Sequence, residues 1–353
     1  MRKKTMYFAI FLLLIFGLLL WREYRPISTP QLINENGEFI LSSISELEEI
    51  NIGGMKQWIQ IRGEDISNPV ILWLHGGPSA AQMPISKLSQ ALEKDFIVVH
   101  WDQRGAGKSN PDNFDERTMS FEQYLEDTHQ LTEYLKQKLC KEKIYLIGHS
   151  WGTKIGITIS KDYPEDYYAY VGVSQLVSNN QRSQEISYHW LTEKIENNNK
   201  KDLLNLKELG KPPYGDHNTY VKFIKMVDSY GGGMDIGMAK LAFIALQSKE
   251  YRLSDFKRWI VGSNRGSGPM WSTYNEWDAF KEVPELDIPV YFFSGKNDYN
   301  TPLQLVKEYY DTLIAPEGKK LVTFEDSSHT PFIKEPDKFY KEMKKVKEET
   351  YAE

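Results

Sequence analysis

Short, unbroken apolar runs, each followed by turn residues and then by a helical pattern, limit the fold of this chain more than any other feature. Residues 70–74 read Val-Ile-Leu-Trp-Leu and residues 144–147 read Ile-Tyr-Leu-Ile, without the alternation of a half-exposed strand. Strands of that kind need cover on both faces, which points to a parallel sheet between layers of helices. Strands are expected at Ile44–Ile52, Lys56–Arg62, Val70–Leu74, Phe96–His100, Ile144–Gly148, Ala169–Ser174, Val290–Ser294 and Lys320–Phe324. Helices are expected at Ser86–Lys94, Phe121–Leu139, Trp151–Lys161, Pro302–Leu313 and Phe332–Glu348. Gly53-Gly54 closes the first two strands into an antiparallel hairpin, and the others have the spacing of β-α units. From Leu176 to about Glu282 the rhythm stops: helical patterns at Gln184–Ile195, Tyr220–Tyr230 and Ile236–Gln247 surround a Gly231-Gly232-Gly233 break and the polar run Asn197–Lys201. The stretch reads as a helical insertion between two sheet strands.

The amino terminus has its own logic. Arg2, Lys3 and Lys4 precede Met6–Trp21, sixteen uncharged residues, and the segment closes with Trp21-Arg22-Glu23-Tyr24-Arg25. A helix needs about 20 apolar residues to cross hydrocarbon and a signal h-region has about 7–15, so the run falls between the two. No small-x-small cleavage site follows it, and the aromatic and basic residues at its end suit a membrane interface. Residues 1–25 are read as an uncleaved signal anchor with the amino terminus inside and the body outside, secreted if the segment is cut. Residues 26–35, with Pro26 and Pro30, form a stalk. The remaining division is a core of residues 36–175 and 283–353, with a cap at residues 176–282.

Charge and cysteine content exclude several functions. The chain of 353 residues carries a net charge of −6, and its first 25 residues are basic, so the body is more acidic still. Such a body does not attract phosphate backbones, and no nucleic acid is expected as a partner. The mean hydropathy of −0.52 excludes a polytopic membrane protein. Cys140 is the single cysteine, which leaves no internal disulfide and no thiolate metal cluster.

The chemistry begins at Gly148-His149-Ser150-Trp151-Gly152, directly after one apolar run and before a helical pattern. A nucleophile elbow needs that strand–turn–helix context, because the serine occupies a strained backbone conformation and the glycines let strand and helix approach it. A serine hydroxyl also needs a base, and the base an acid to hold it. Four of the seven histidines, His75, His100, His129 and His149, precede Ser150 or sit in its elbow, while His189 and His217 lie in the insertion. His329 alone comes late, in the polar loop after the last strand. Asp298 follows the strand before it, in Ser294-Gly295-Lys296-Asn297-Asp298. Catalytic Ser150, Asp298 and His329 are therefore expected, each at the end of its own strand. The N–H groups of Trp151 and of Gly77, in His75-Gly76-Gly77-Pro78-Ser79, are expected to form the oxyanion hole. Pro78 has no N–H to give.

With Trp101-Asp102-Gln103-Arg104-Gly105-Ala106-Gly107-Lys108-Ser109 added to these motifs, the chain resembles the α/β-hydrolase superfamily. It is most similar to the proline iminopeptidase (prolyl aminopeptidase) branch, over residues ~35–345. The resemblance implies an eight-stranded, mostly parallel α/β sheet with a helical cap, the Ser150–Asp298–His329 triad, and no metal or cofactor. It also implies that Asp102 and Arg104 brace loops and do not touch substrate. Two departures stand out. Ser79 replaces the glycine that usually ends the first signature, and Tyr188-His189-Trp190-Leu191-Thr192-Glu193 lacks the cap pattern that holds a substrate amine in the family. Glu185, Glu193 and Trp190 are the candidate substrate-binding residues, with Asp228, Asp235 and Glu276 as further acidic side chains in the insertion. Three readings follow: an amide hydrolase acting on small peptides from their amino end, an esterase on the same machinery, and a catalytically silent binding protein. The expected partner is a small molecule or short peptide; the oligomeric state is left open.

Overall fold

A computed structural model describes residues 2–179, 181–196 and 199–351, so Asn197 and Asn198 of the polar run lie outside the described residues. Eight strands form one sheet: β1 (Ile44–Ile52), β2 (Met55–Gly63), β3 (Val70–Leu74), β4 (Ile97–Asp102), β5 (Ile144–His149), β6 (Tyr167–Val173), β7 (Val290–Gly295) and β8 (Lys319–Phe324). Their order is β1-β2-β4-β3-β5-β6-β7-β8. β2 pairs antiparallel with both β1 and β4, and every other pairing is parallel.

Both faces of the central strands are covered. Val70, Leu72 and Leu74 of β3 join one apolar cluster while Ile71 and Trp73 join the other, and Ile144–Ile147 divides in the same alternating way. The first cluster takes residues from the helices α2 (Phe121–Leu139), α3 (Trp151–Asp162) and α11 (Leu303–Thr312). The second takes residues from α12 (Pro331–Lys334) and α13 (Pro336–Thr350). An apolar run is the expected composition for a strand buried on both sides.

Between β6 and β7 lie α4 (Gln181–Glu196), α5 (Lys200–Leu209), α6 (His217–Ser229), α7 (Met238–Ala245), α8 (Leu253–Arg265), α9 (Trp271–Glu276) and α10 (Ala279–Glu282). α1 (Arg2–Tyr24) precedes β1, and its Met6–Tyr24 stretch is long and apolar enough to cross a membrane. Two expected helices differ in form. Residues Met83–Lys94 are a 3₁₀ run with a non-helical residue at Ile85, next to Pro84. The expected helix Phe332–Glu348 is divided after Lys334, because Pro336 has no N–H for a continuing helix and instead opens α13.

The parallel register brings strand ends together. Leu74 pairs with Gly148, His149 with Val173, Val173 with Phe293, and Gly295 with Phe324. The loops after β3, β5, β7 and β8 therefore leave the sheet along one edge, as ligand sites in open α/β sheets do.

Candidate active site

Ser150 stands between β5 and α3 with φ +52° and ψ −119°, outside the regions an L-residue prefers. Two glycines make this turn possible. A Cβ on Gly152 would come within 2.2 Å of the Leu74 carbonyl oxygen, and one on Gly148 within 2.6 Å of the Gly152 oxygen. The neighbouring loop is as tight: a Cβ on Gly76 would sit 3.2 Å from the Ser150 Cβ, and Gly77 has φ +119°. Trp151 begins α3, so its N–H has no acceptor within the helix and lies at the positive end of the helix dipole. Ser79 has φ +70°, which shows why a glycine suits that position.

Asp298 and His329 meet directly. The imidazole Nδ1 lies 2.9 Å from Asp298 Oδ2. That carboxylate also accepts the Thr301 hydroxyl at 2.8 Å and the N–H groups of Asn300 and Thr301 at 2.9 and 3.0 Å. Burial pushes the Asp298 pKa up, but the imidazole and these donors outweigh it and hold the carboxyl below its ordinary value. Burial pushes the His329 pKa down, and Asp298, with the charges of Asp228 and Asp235 behind it, raises it above its ordinary value.

The backbone around His329 is clamped. His149 Nε2 and Ser174 Oγ bond to the His329 carbonyl at 2.9 and 3.0 Å. Burial, with His329 beside it, holds the His149 pKa down at about 3, so this imidazole is neutral and acts as an N–H donor. From the insertion, Asp235 accepts the N–H groups of Ser328 and Thr330 at 2.8 Å each. The His329 N–H bonds to the Gly233 carbonyl at 3.0 Å.

Ser150, Gly77 and His329 line one cavity of about 450 Å³, and Asp228, Asn300 and Thr301 line it too. Asp228 is its single acidic residue among the described residues; burial raises the pKa of that carboxyl. The insertion supplies an apolar wall, with Val221, Ile224, Met238, Leu241 and Ile260. Glu185, Glu193 and Trp190 do not line it: Glu185 bonds to Gln181, Glu193 is exposed, and Trp190 stacks on Tyr299 with ring centroids 4.1 Å apart. Their helix α4 turns these side chains to other neighbours, a choice its weakly patterned sequence does not reveal.

Asp102 and Arg104 face away from the cavity. Asp102 accepts the Lys108 N–H at 2.8 Å and the Tyr251 hydroxyl, and burial pushes its pKa up to about 7. Arg104 forms two 2.9 Å bonds to Asp127, reaching across to α2. Sequence reasoning did not find Thr301, Ser174 or the clamping role of Asp235. Thr301 carries a local signal, three residues after an Asp in a turn; the other two depend on loops that meet only in three dimensions.

Ser150 at a strand–helix turn, the Asp298–His329 pair at the same sheet edge and a cavity walled by helices inserted between β6 and β7 are what the fold brings together. Residues 69–336 match the family described as alpha/beta hydrolase fold, and the chain belongs to that family. It is 33 % identical over 303 residues to the probable aminopeptidase YbaC of Bacillus subtilis, across 84 % of this chain and 94 % of that protein. It is 25 % identical over 293 residues to a proline iminopeptidase of Lactobacillus delbrueckii subsp. lactis, across 81 % and 92 %. The proline iminopeptidase-related protein of Thermus thermophilus shares the fold with a TM-score of 0.63 at 17 % identity, covering 87 % of this chain and 98 % of that one.

Proposed function

We propose that this chain is a serine hydrolase of the aminopeptidase kind, cleaving a small amide next to an apolar or prolyl amino-terminal residue. The observation that carries the reading is the buried Asp298–His329 pair on the same cavity as a strained Ser150. Ser150 Oγ attacks the carbonyl carbon while His329 Nε2 takes its proton. Asp298 fixes the tautomer and favours the imidazolium that forms. The N–H groups of Gly77 and Trp151 receive the oxyanion. The imidazolium then protonates the leaving amine, and water, deprotonated by His329, releases the acyl group from Ser150.

Asp228 takes the part considered for Glu185 and Glu193: its carboxylate holds the substrate ammonium against the apolar wall. Residues 176–282 serve as the cap and α1 as a single-pass membrane anchor with the body extracytoplasmic. The apolar wall also supports a second reading, an esterase on the same residues.

A fluorophosphonate probe should label the wild-type chain and not Ser150→Ala, with both equally folded by circular dichroism. Failure to label wild type would leave a silent binding protein. Aminoacyl-arylamides against acyl esters of several chain lengths separate peptidase from esterase. Asp228→Asn should raise KM for the aminoacyl substrate by about tenfold, the scale of one charge-assisted bond, leave KM for a neutral ester little changed, and move the acidic limb for both substrates to lower pH, because its charge also supports His329.

A further inference from the structure

The last turn of α1 is fastened to α7 and α8. Arg22 donates to the Leu246 carbonyl, just past α7, and Arg25 donates to the carbonyls of Ser248 and Tyr251 at 3.1 Å each. Glu23 accepts the N–H of Ser254, in the first turn of α8, at 3.0 Å. The Arg22 guanidinium lies over the Phe256 ring, 5.5 Å from its centroid. The described residues of Met6–Trp21 are all exposed. These bonds hold α7 and the start of α8 beside the point where α1 joins the body.

The surface held there is not one that suits water. α7 reads Met-Ala-Lys-Leu-Ala-Phe-Ile-Ala, with Lys240 its single charge, yet only Leu241 and Ala245 are buried. Met238 is 69 % exposed and Phe243 66 %; Leu246 at the end of α7 and Ile260 and Val261 on α8 are exposed too, and Met238 and Ile260 line one cavity. A helix facing solvent carries polar residues on that side, and a contiguous apolar patch marks an interaction surface. Its charge has one sign. Residues 236–265 contain six basic and two acidic residues in a chain whose net charge is −6. Both acidic side chains are buried and paired, Glu250 with Gln60 and Ser248, and Asp255 with Lys108. Lys240, Lys249, Arg252 and Lys257 are exposed. An apolar face rimmed by cations fits an anionic lipid surface.

We infer that α7 and α8 rest on the bilayer that holds α1, with Phe243, Leu246 and Val261 at the headgroup–acyl boundary and the lysines among anionic headgroups. Met238 and Ile260 belong both to this face and to the cavity wall. The mouth of the cavity therefore opens at the membrane interface, and the substrates served best are amphiphiles that partition into it. The inference rests on the reading of α1 as a membrane anchor.

The test uses the full-length chain in vesicles of phosphatidylcholine with or without phosphatidylglycerol. Cys140→Ser removes the native thiol, and Leu13→Cys, Phe243→Cys or Leu204→Cys then carries an environment-sensitive fluorophore. Nitroxide lipids should quench the label at 13 and, with phosphatidylglycerol present, the label at 243. The label at 204, exposed on α5, should stay in water. Quenching at 13 with 243 in water overturns the docking surface and leaves the anchor standing. Both in water removes the anchor and the inference together. A shielded 243 that lipids do not quench assigns the face to a second copy of the chain and also overturns it. Phe243→Ser with Val261→Ser, neither of which lines the cavity, should lower hydrolysis of a vesicle-borne long-chain acyl ester about tenfold and leave a short water-soluble ester unchanged. Equal loss on both esters overturns the inference.

Discussion

At the scale of single residues, the protonation of one imidazole governs the proposed chemistry. His329 accepts the Ser150 proton only when neutral, and Asp298 raises its pKa above the ordinary histidine value of about 6.5. The acidic limb of kcat/KM should therefore lie at higher pH than a free imidazole would give. Asp298→Asn should move that limb to lower pH and lower kcat by about 10⁴, the cost typical of losing the acid of a triad. A limb that stays in place when Asp298 is neutralised would detach His329 from the pH dependence. The same pair links stability to pH. The raised pKa of His329 makes its contribution full below about 6.5 and lost as pH rises through the folded value. The lowered pKa of Asp298 makes its contribution present above about 3.9 and lost as pH falls through the folded value. Urea unfolding should accordingly show the largest wild-type advantage over Asp298→Asn between about pH 4 and 6.5.

At the scale of elements, the segment between β6 and β7 helps to hold the loops of the site in place. Asp235 satisfies the N–H groups on both sides of His329, and Asp298 and His329 approach because Gly295 has no side chain. A Cβ on Gly295 would lie 1.9 Å from the Ser328 carbonyl oxygen. Gly295→Ala should part the β7 and β8 loops, destabilise the fold by about 3 kcal/mol in chemical denaturation, and lower kcat. Asp235→Ala leaves two part-buried N–H groups without acceptors and should cost about 2 kcal/mol. It should lower kcat about tenfold with KM for a short ester little changed, because the histidine loop loses its clamp while the cavity wall stays. An unaltered kcat would reduce Asp235 to a structural brace. The elements most readable in the sequence are those whose burial is continuous. All eight strands lie within a few residues of their expected places: β3, β4, β5 and β7 are buried throughout and read as apolar runs, whereas β1 and β8 are only partly buried and were legible from the Gly53-Gly54 hairpin and the β-α spacing. α5 escaped notice because Leu206 is its single buried residue, and α8 because it buries only Asp255, Phe256 and Gly262. The placement of Ser150, Asp298 and His329 at strand ends was legible because each follows a recognisable strand. Asp228 was one acidic residue among several in the insertion, since only the approach of α6 to the β7 and β8 loops sets it on the cavity.

At the scale of the whole molecule, the proposed membrane anchor and the folded core are different parts of the chain. Among the described residues, none of the buried apolar clusters includes one from α1, whose bonds to the body come from Arg22 and Glu23, with Arg25 just past its end. A chain lacking residues 1–25 should fold, leave the membrane fraction without detergent, and hydrolyse water-soluble substrates with kcat within about twofold of the full-length enzyme. Its remaining lipid affinity comes from the basic apolar face of α7 and α8, where each cation near an anionic surface contributes about 1 kcal/mol. Such an attraction is screened over about 8 Å at physiological ionic strength and about 3 Å at 1 M, whereas insertion of an apolar helix is insensitive to salt. In flotation assays the truncated chain should bind phosphatidylglycerol vesicles reversibly and be released by salt, while the full-length chain floats at every salt concentration. Salt release of the full-length chain would show that α1 does not span the bilayer. Truncated protein that aggregates in place of folding would give α1 a structural part that its few bonds to the body do not account for.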